Sequence, residues 1–203
     1  SRIYGFDNII PVLPAQKITA PIKNSQNEID NIIKDMLTYT FAMNETDSHP
    51  WYDNKFNKKI SYKPVNPVGL KNPISNESSH LRTSMLPTML KFAFENLKIY
   101  DSFSLYEIGH IFFQEKEERV LSMIIVDKKT KKGDETLFFR MKSIIQNLAI
   151  RISGNDIRFA DPLQHQLINP SISAEIISAD KPCGYMGGLH PQINSLLDKK
   201  VNI

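Results

Sequence analysis

The sequence predicts an α+β fold in which an antiparallel or mixed sheet carries helices packed on it. Three observations lead there. Apolar residues recur at helical spacing in segments set apart by strand-like runs; two of those runs, between 103 and 127, flank a charged turn; and no internal repeat or low-complexity tract interrupts the alternation of helices and strands.

Residues 1–23 hold Pro11, Pro14 and Pro21 among extended apolar residues such as Ile9, Ile10, Val12 and Leu13, which favours a connector over a helix. Ser25 and Glu28 stand at capping-box spacing. Behind them Ile29, Ile32, Ile33, Met36, Leu37 and Phe41 fall on one face, so a helix of about four turns is expected over 25–41. Asn, Asp and Pro punctuate 44–71, where "KKISYKPVNP" (58–67) alternates as a strand should. A second helix begins near Pro87 and shows Leu86, Met89, Leu90, Ala93, Phe94 and Leu97 on one face. "FSLYEIGHIFF" (103–113) and "RVLSMIIVD" (119–127), joined by Gln114 to Glu118, read as a hairpin or meander. Asp134 and Glu135 open a third helix, with Leu137, Met141, Ile144, Ile145, Leu148 and Ile152 at helical spacing. "ISAEIISA" (172–179) and "CGYMGGLHPQI" (183–193) are strands, the glycines of the second marking a strand end with a tight turn into a short final helix, "PQINSLLD".

The composition is that of an ordinary globular chain: 203 residues, 41% hydrophobic and 23% charged. Net charge is +3, but acids and bases are interspersed apart from Lys128-Lys129-Thr130-Lys131-Lys132, which reads as a solvated turn and not as a nucleic-acid patch. The single cysteine, Cys183, excludes an intramolecular disulfide framework and fits a reducing compartment. No apolar run approaches the ~20 residues of a membrane helix, so a cytoplasmic protein without a membrane partner is expected. The start at Ser1, directly into "RIYGFDNI", suggests a piece of a longer polypeptide.

Candidate chemistry is sparse. His49, His80, His110, His165 and His190 form no HxxxH, HExxH or Cys/His cluster, so no metal site is expected. His110 lies in an apolar strand and His190 precedes Pro191 at a helix entrance, where structural roles suffice. Gly184, Gly187 and Gly188 form GxxGG without the Lys-Ser/Thr of a P-loop, and no GxSxG elbow activates a serine. Ser75, Ser78, Ser79, Thr83 and Ser84 precede a helix, where hydroxyls satisfy exposed backbone donors.

A resemblance sharpens this. "NPISNESSHLRTSMLPTMLKFAFENL" (72–97) followed by "FSLYEIGHIF" resembles the core of the beta chain of bacterial-type phenylalanyl-tRNA synthetases. "RIYGFDNI" (2–9) is similar to the segment closing the domain before that core, "FFRMKSIIQNLAI" (138–150) to a helix carrying a lysine at Lys142, and "SISAEI" (171–176) with "GGLHPQI" (187–193) to its paired strand and Gly-x-x-His-Pro turn. These blocks follow the family's order across nearly the whole chain; the region from Phe41 to Asn66 departs from it, since "FAMNETDSHPWYD" (41–53) lacks the family's Gly-Phe-Gln-Glu pattern. Arg82, Glu107, Gly109, His190 and Pro191 match the family signature.

The resemblance implies a class II aminoacyl-tRNA synthetase-like core over 24–203, after a connector over 1–23. Working class II sites end a strand near Phe-Arg-x-Glu, whose arginine holds the ATP α-phosphate. Here the matching residues are Phe112-Phe113-Gln114-Glu115, so Phe113 replaces that arginine, and the candidate third motif, "YMGGLHPQI", also lacks one. The expectation is a catalytically degenerate domain: no catalytic, cofactor or metal residue, with ATP and magnesium used elsewhere in the enzyme. Its implied partner is the alpha chain, in an (αβ)2 assembly that charges tRNA with phenylalanine, tRNA being held mainly by other domains and DNA not at all. Ile29, Ile32, Ile33, Met36 and Leu37 are the candidate interface. A free-standing synthetase-like binding module is the alternative, and a self-sufficient adenylate-forming enzyme a more distant one.

Overall fold

A computed structural model describes residues 3–13, 15–17, 19, 23–130, 135–154, 156–161 and 164–196. Residues 3–24 hold one 3-10 turn, Phe6–Asn8, and otherwise no helix or strand among those described; Pro14 and Pro21 lie outside the described residues.

Helix α1 (Ser25–Asp35) starts one residue earlier than a Ser25 cap requires. Asn24 is the cap, its side chain accepting from Gln26 N at 3.0 Å, so Ser25 is already helical and the Ser25–Glu28 capping box is not formed. The helix continues as a π-helix over Met36–Thr40, closed by the Phe41 N–H on the Met36 carbonyl at 3.1 Å. A two-residue strand β1 (Asn44–Glu45) follows and pairs parallel with Leu105 and Tyr106, sixty-one residues on.

The strand expected over 58–67 is absent. Helix α2 (Asn54–Lys59) occupies its beginning, and Ser61 at φ 55° ends the helix in a left-handed turn. Tyr62 N–H bonds the Asn57 carbonyl and Ser61 N–H that of Lys58, the paired bonds of a Schellman motif. Ile60 and Tyr62 are buried between exposed neighbours, so the alternation is real, but a helix cap produces it.

Helix α3 (Leu86–Asn96) and the antiparallel pair β2 (Ser102–Phe112) and β3 (Glu117–Asp127) fall where expected. With β1 they form one three-stranded sheet, order β1-β2-β3. Helix α4 (Thr136–Ser153) follows; Asp134, Lys131 and Lys132 lie outside the described residues. Its last core contact is Ala149, so Ile152, expected inward, is 41% exposed. Strands β4 (Arg158–Ala160), β5 (Ile168–Ser178) and β6 (Lys181–Leu189) make a second, antiparallel sheet. The fold is therefore α+β with two small sheets, one mixed and one antiparallel, where one antiparallel or mixed sheet was expected.

The GxxGG glycines lie inside β6 and not at a turn. A Cβ on Gly187 would stand 2.7 Å from the Ile172 carbonyl oxygen, beside the irregular β5 register, so close approach of two backbones is what requires glycine there. The turn itself is at Ala179 and Asp180, with φ 49° and 61°. The final helix, α5 (Pro191–Asn194), is one turn long; Leu197 and Asp198 of "PQINSLLD" lie outside the described residues.

Two apolar clusters sandwich the first sheet, which explains why four successive β2 residues, Ser104 to Glu107, are all buried. On one face Leu105, Ile124 and Val126 meet Met89, Leu90 and Ala93 of α3; on the other Tyr106 and Ile125 meet Leu37, Ile144 and Leu148. The second sheet packs Ala174, Ile176 and Met186 on Ile145 and Ala149 of α4. No helix among the described residues is long and apolar enough to cross a membrane.

Candidate functional site

The polar centre of the molecule is built on the β2 strand. Glu107 points into the interior at 2% exposure, a position no carboxylate holds without a partner. Arg82, also 2% exposed, supplies it: Nη2 donates to Glu107 Oε1 at 3.0 Å. The other donors are used too. Nε reaches the His110 carbonyl at 2.8 Å, and Nη1 donates at 2.5 Å to Ser48 Oγ, which lies 2.7 Å from both Glu107 oxygens. The backbone around Arg82 fixes this placement, with Arg82 N–H on the Pro50 carbonyl and Phe112 N–H on the Arg82 carbonyl. Gly109 leaves room for the guanidinium, since a Cβ there would lie 2.5 Å from Arg82 Nη2 and 2.9 Å from Met85 Cε. Three expected signature residues, Arg82, Glu107 and Gly109, thus form one buried unit.

The hydroxyl-rich lead-in to α3 is a helix entrance. Tyr52, fully buried, places its hydroxyl 2.9 Å from the Thr83 and Ser84 N–H groups and 3.0 Å from Thr83 Oγ1. Ser84 Oγ accepts from Leu86 N at 3.2 Å, and Ser79 Oγ accepts from Asn54 Nδ2 at 2.9 Å. Arg82 fixes the interior behind that entrance and does not itself cap the helix.

Phe113 follows the last residue of β2, its N–H on the Lys116 carbonyl, and lines a cavity of about 250 Å³. Among the described residues Tyr62, Val65, Asn66, Thr83, Ser84, His165 and Tyr185 complete the lining, without a lysine, arginine or carboxylate. Burial pushes the Tyr62 hydroxyl well above the usual phenol range, reinforced by Tyr52, and raises Tyr185, which a hydrogen bond with Ser84 partly offsets. Burial also lowers His165, whose Nδ1 accepts from Leu167 N at 3.2 Å and whose ring lies 4.8 Å from that of Tyr185. The pocket is neutral and aromatic, with hydroxyls at its wall.

The five candidate interface residues divide. Leu37 is fully buried in the chain's own core, with Ile33 and Met36 packed against the same cluster, whereas Ile29 is 36% exposed and Ile32 half-buried. Between them Asp30 is buried and paired with Arg119 of β3, Nε to Oδ1 at 3.3 Å, tying α1 to the sheet. His190 Nδ1 accepts from Gln192 N at 3.3 Å and Pro191 fills the first turn of α5, a capping arrangement. Lys142 sits with Nζ 4.8 Å from the Phe159 ring centroid. Among the described residues no group of three His, Cys, Asp or Glu is gathered as a metal would need.

Ser48, Asp30 and Arg119 escaped the sequence reading. Each takes its role from a partner distant in sequence, and no local spacing marks it. Glu107 carries the one legible signal, a carboxylate inside an apolar strand, which predicts a buried cation somewhere.

Residues 9–201 match the family model described as "Phenylalanyl tRNA synthetase beta chain CLM domain". Among curated proteins named "Phenylalanine--tRNA ligase beta subunit", that of Listeria innocua is 26% identical over 212 residues and that of Bacillus cereus 27% over 219; each alignment takes in 98% of this chain and 26% of the relative. The protein of the same name from Carboxydothermus hydrogenoformans is 24% identical over 221 residues, 98% of this chain and 27% of its own. The chain spans about a quarter of the length of these relatives.

Proposed function

Because the chain belongs to the family of the phenylalanyl-tRNA synthetase beta chain CLM domain, we propose that it is a non-catalytic, class II-like core domain of a phenylalanine–tRNA ligase. In this reading residues 24–203 form the core and 1–23 a connector. The domain braces an alpha chain that binds ATP and phenylalanine and charges tRNA in the cytoplasm, within an (αβ)2 assembly.

The observation that carries the reading is the neutral pocket under Phe113. Adenylate formation spreads negative charge over phosphate oxygens, and a cation or preorganised donor aimed at it is worth a few kcal/mol each. Phe113 offers none, and the buried Arg82 is occupied by Glu107, Ser48 and the His110 carbonyl. The residues of this pocket do not suit ATP or its magnesium, since no charged group among the described residues lines it. The surface left for a partner on α1 is the outer part of its apolar face, Ile29 and Ile32, whose neighbours Ile33, Met36 and Leu37 are held in the core.

Mixing the chain with a phenylalanine–tRNA ligase alpha chain tests the assembly. A complex is expected on size exclusion with light scattering, and I29D/I32D should weaken it while leaving the circular dichroism of the chain unchanged. Separate elution of the two unmodified chains at micromolar concentration would overturn the reading.

A further inference from the structure

A clasp between segments 103 residues apart sets the walls of the cavity under Phe113. Lys63 N–H donates to Gln166 Oε1 at 2.9 Å, and Gln166 Nε2 donates to the Lys63 carbonyl at 3.0 Å. The Tyr62 side of the cavity is thereby fixed against the His165 side before any ligand arrives. The wall hydroxyls are engaged within the chain, Tyr62 with Tyr52 at 3.3 Å and Tyr185 with Ser84. His165 is different. Its Nδ1 accepts from Leu167 N, so the neutral ring carries its proton on Nε2. That N–H has no partner among the described residues and keeps accessible surface, while its ring lies 4.8 Å from that of Tyr185 in the cavity wall. Two charges come near without joining the lining. Lys116 Nζ stands 5.4 Å from the Phe113 ring centroid but is paired with Glu118, and Glu175 faces Tyr185 in the β5–β6 register. The cavity of about 310 Å³ beside α2 offers no comparable donor, since Asn57 Nδ2, although unpaired, is wholly buried.

We propose that the cavity under Phe113 binds a small, uncharged aromatic molecule bearing a hydrogen-bond acceptor beside its ring, an aryl carboxamide being the simplest case. The ring packs among Phe113, Tyr62 and Tyr185, and the acceptor oxygen receives the His165 Nε2–H. A volume of about 250 Å³ holds one ring with its substituent. An ionised ligand is disfavoured, because no charge among the described lining residues replaces the water it would lose. The proposal rests on the same neutral lining as the proposed function, but needs neither the alpha chain nor tRNA.

Titration of the full chain with benzamide by isothermal calorimetry is expected to give saturable heat. Cyclohexanecarboxamide, which keeps the acceptor but lacks the aromatic ring, should bind about two- to tenfold more weakly, and zwitterionic L-phenylalanine should not saturate. His165→Phe keeps a ring against Tyr185 and removes the donor, so benzamide should bind it about two- to tenfold more weakly, the loss of one neutral hydrogen bond. In nitrogen-15 spectra benzamide should also shift the imidazole signal that His165→Phe lacks, which a purely structural histidine would not show. Phe113→Leu alters a half-buried position after the end of β2 and should weaken benzamide about two- to tenfold, so it remains informative if His165→Phe fails to fold. Equal affinity for benzamide and cyclohexanecarboxamide, saturable binding of L-phenylalanine, or unchanged benzamide affinity in either folded variant would each overturn the proposal. Absence of benzamide binding while the complex with an alpha chain still forms would overturn this proposal alone and leave the proposed function standing.

Discussion

Arg82 and Glu107 are each worth little apart from the other. Deleting one partner of a buried ion pair leaves the other charged in the interior, at a cost of about 3–5 kcal/mol. Arg82→Met is therefore expected to lower the urea midpoint steeply, while R82M/E107L should recover much of the loss; urea melts of both variants check this. If the single and double variants are equally unstable, the pair is not the buried anchor described. This unit was only half legible in the sequence. Arg82, Glu107 and Gly109 were singled out, but as separate signature positions, since nothing in the chain order says that Gly109 clears a path for Arg82. Ser48 was invisible because a serine in a polar loop looks the same whether it bridges two charges or faces water. Asn57 was invisible for a related reason, its unpaired amide being a property of the fold around it.

At the scale of elements, turns and caps decide what periodicity cannot. The β5–β6 turn places Ala179 and Asp180 at φ 49° and 61°, a conformation that costs non-glycine residues about 1 kcal/mol or more. A179N/D180G should raise stability by about 1 kcal/mol, read as a rise in the thermal midpoint; the exposed Arg158–Asp180 pair that it removes contributes little. Asp53 caps α2, accepting from Phe56 N at 2.9 Å. Burial pushes its carboxyl upward, but the hydrogen bonds from Lys91 and Phe56 N outweigh this and hold it below the usual carboxylate range. A depressed carboxyl stabilises the fold above its unfolded pKa, near 3.8, and loses that contribution as pH falls through the lower folded value. Asp53→Asn keeps a capping oxygen without the charge, so its stability profile should be flatter than that of the unmodified chain below pH ~4. Acid titration of both by circular dichroism measures the difference. Long amphipathic elements, α1, α3, α4 and the β2–β3 hairpin, were readable because burial repeats along them. The 58–67 segment was misread because a Schellman cap buries Ile60 and Tyr62 in strand-like alternation. The Ala179–Asp180 turn carried no Asn-Gly signal to find.

For the whole molecule, an α+β fold followed from the sequence, but helix α2 in place of a strand, strand β4 and the division into two sheets did not. Sheet partners are set by contacts between distant segments, and the parallel pairing of Asn44 with Leu105 has no local signature. The family came through because its blocks are spread along nearly the whole chain, and the model match over 9–201 agrees with that spread. The proposed loss of chemistry rests, in the sequence, on Phe113 and on the arginine-free "YMGGLHPQI", whereas the lining of the pocket around Phe113 required Tyr62, His165 and Tyr185 to be brought together by the fold. The most direct measurement of the central claim is ATP–pyrophosphate exchange by the chain with phenylalanine and magnesium. No exchange above the blank is expected from the chain alone at any concentration of phenylalanine. Steady exchange that rises and saturates with phenylalanine, in the absence of an alpha chain, would contradict the account.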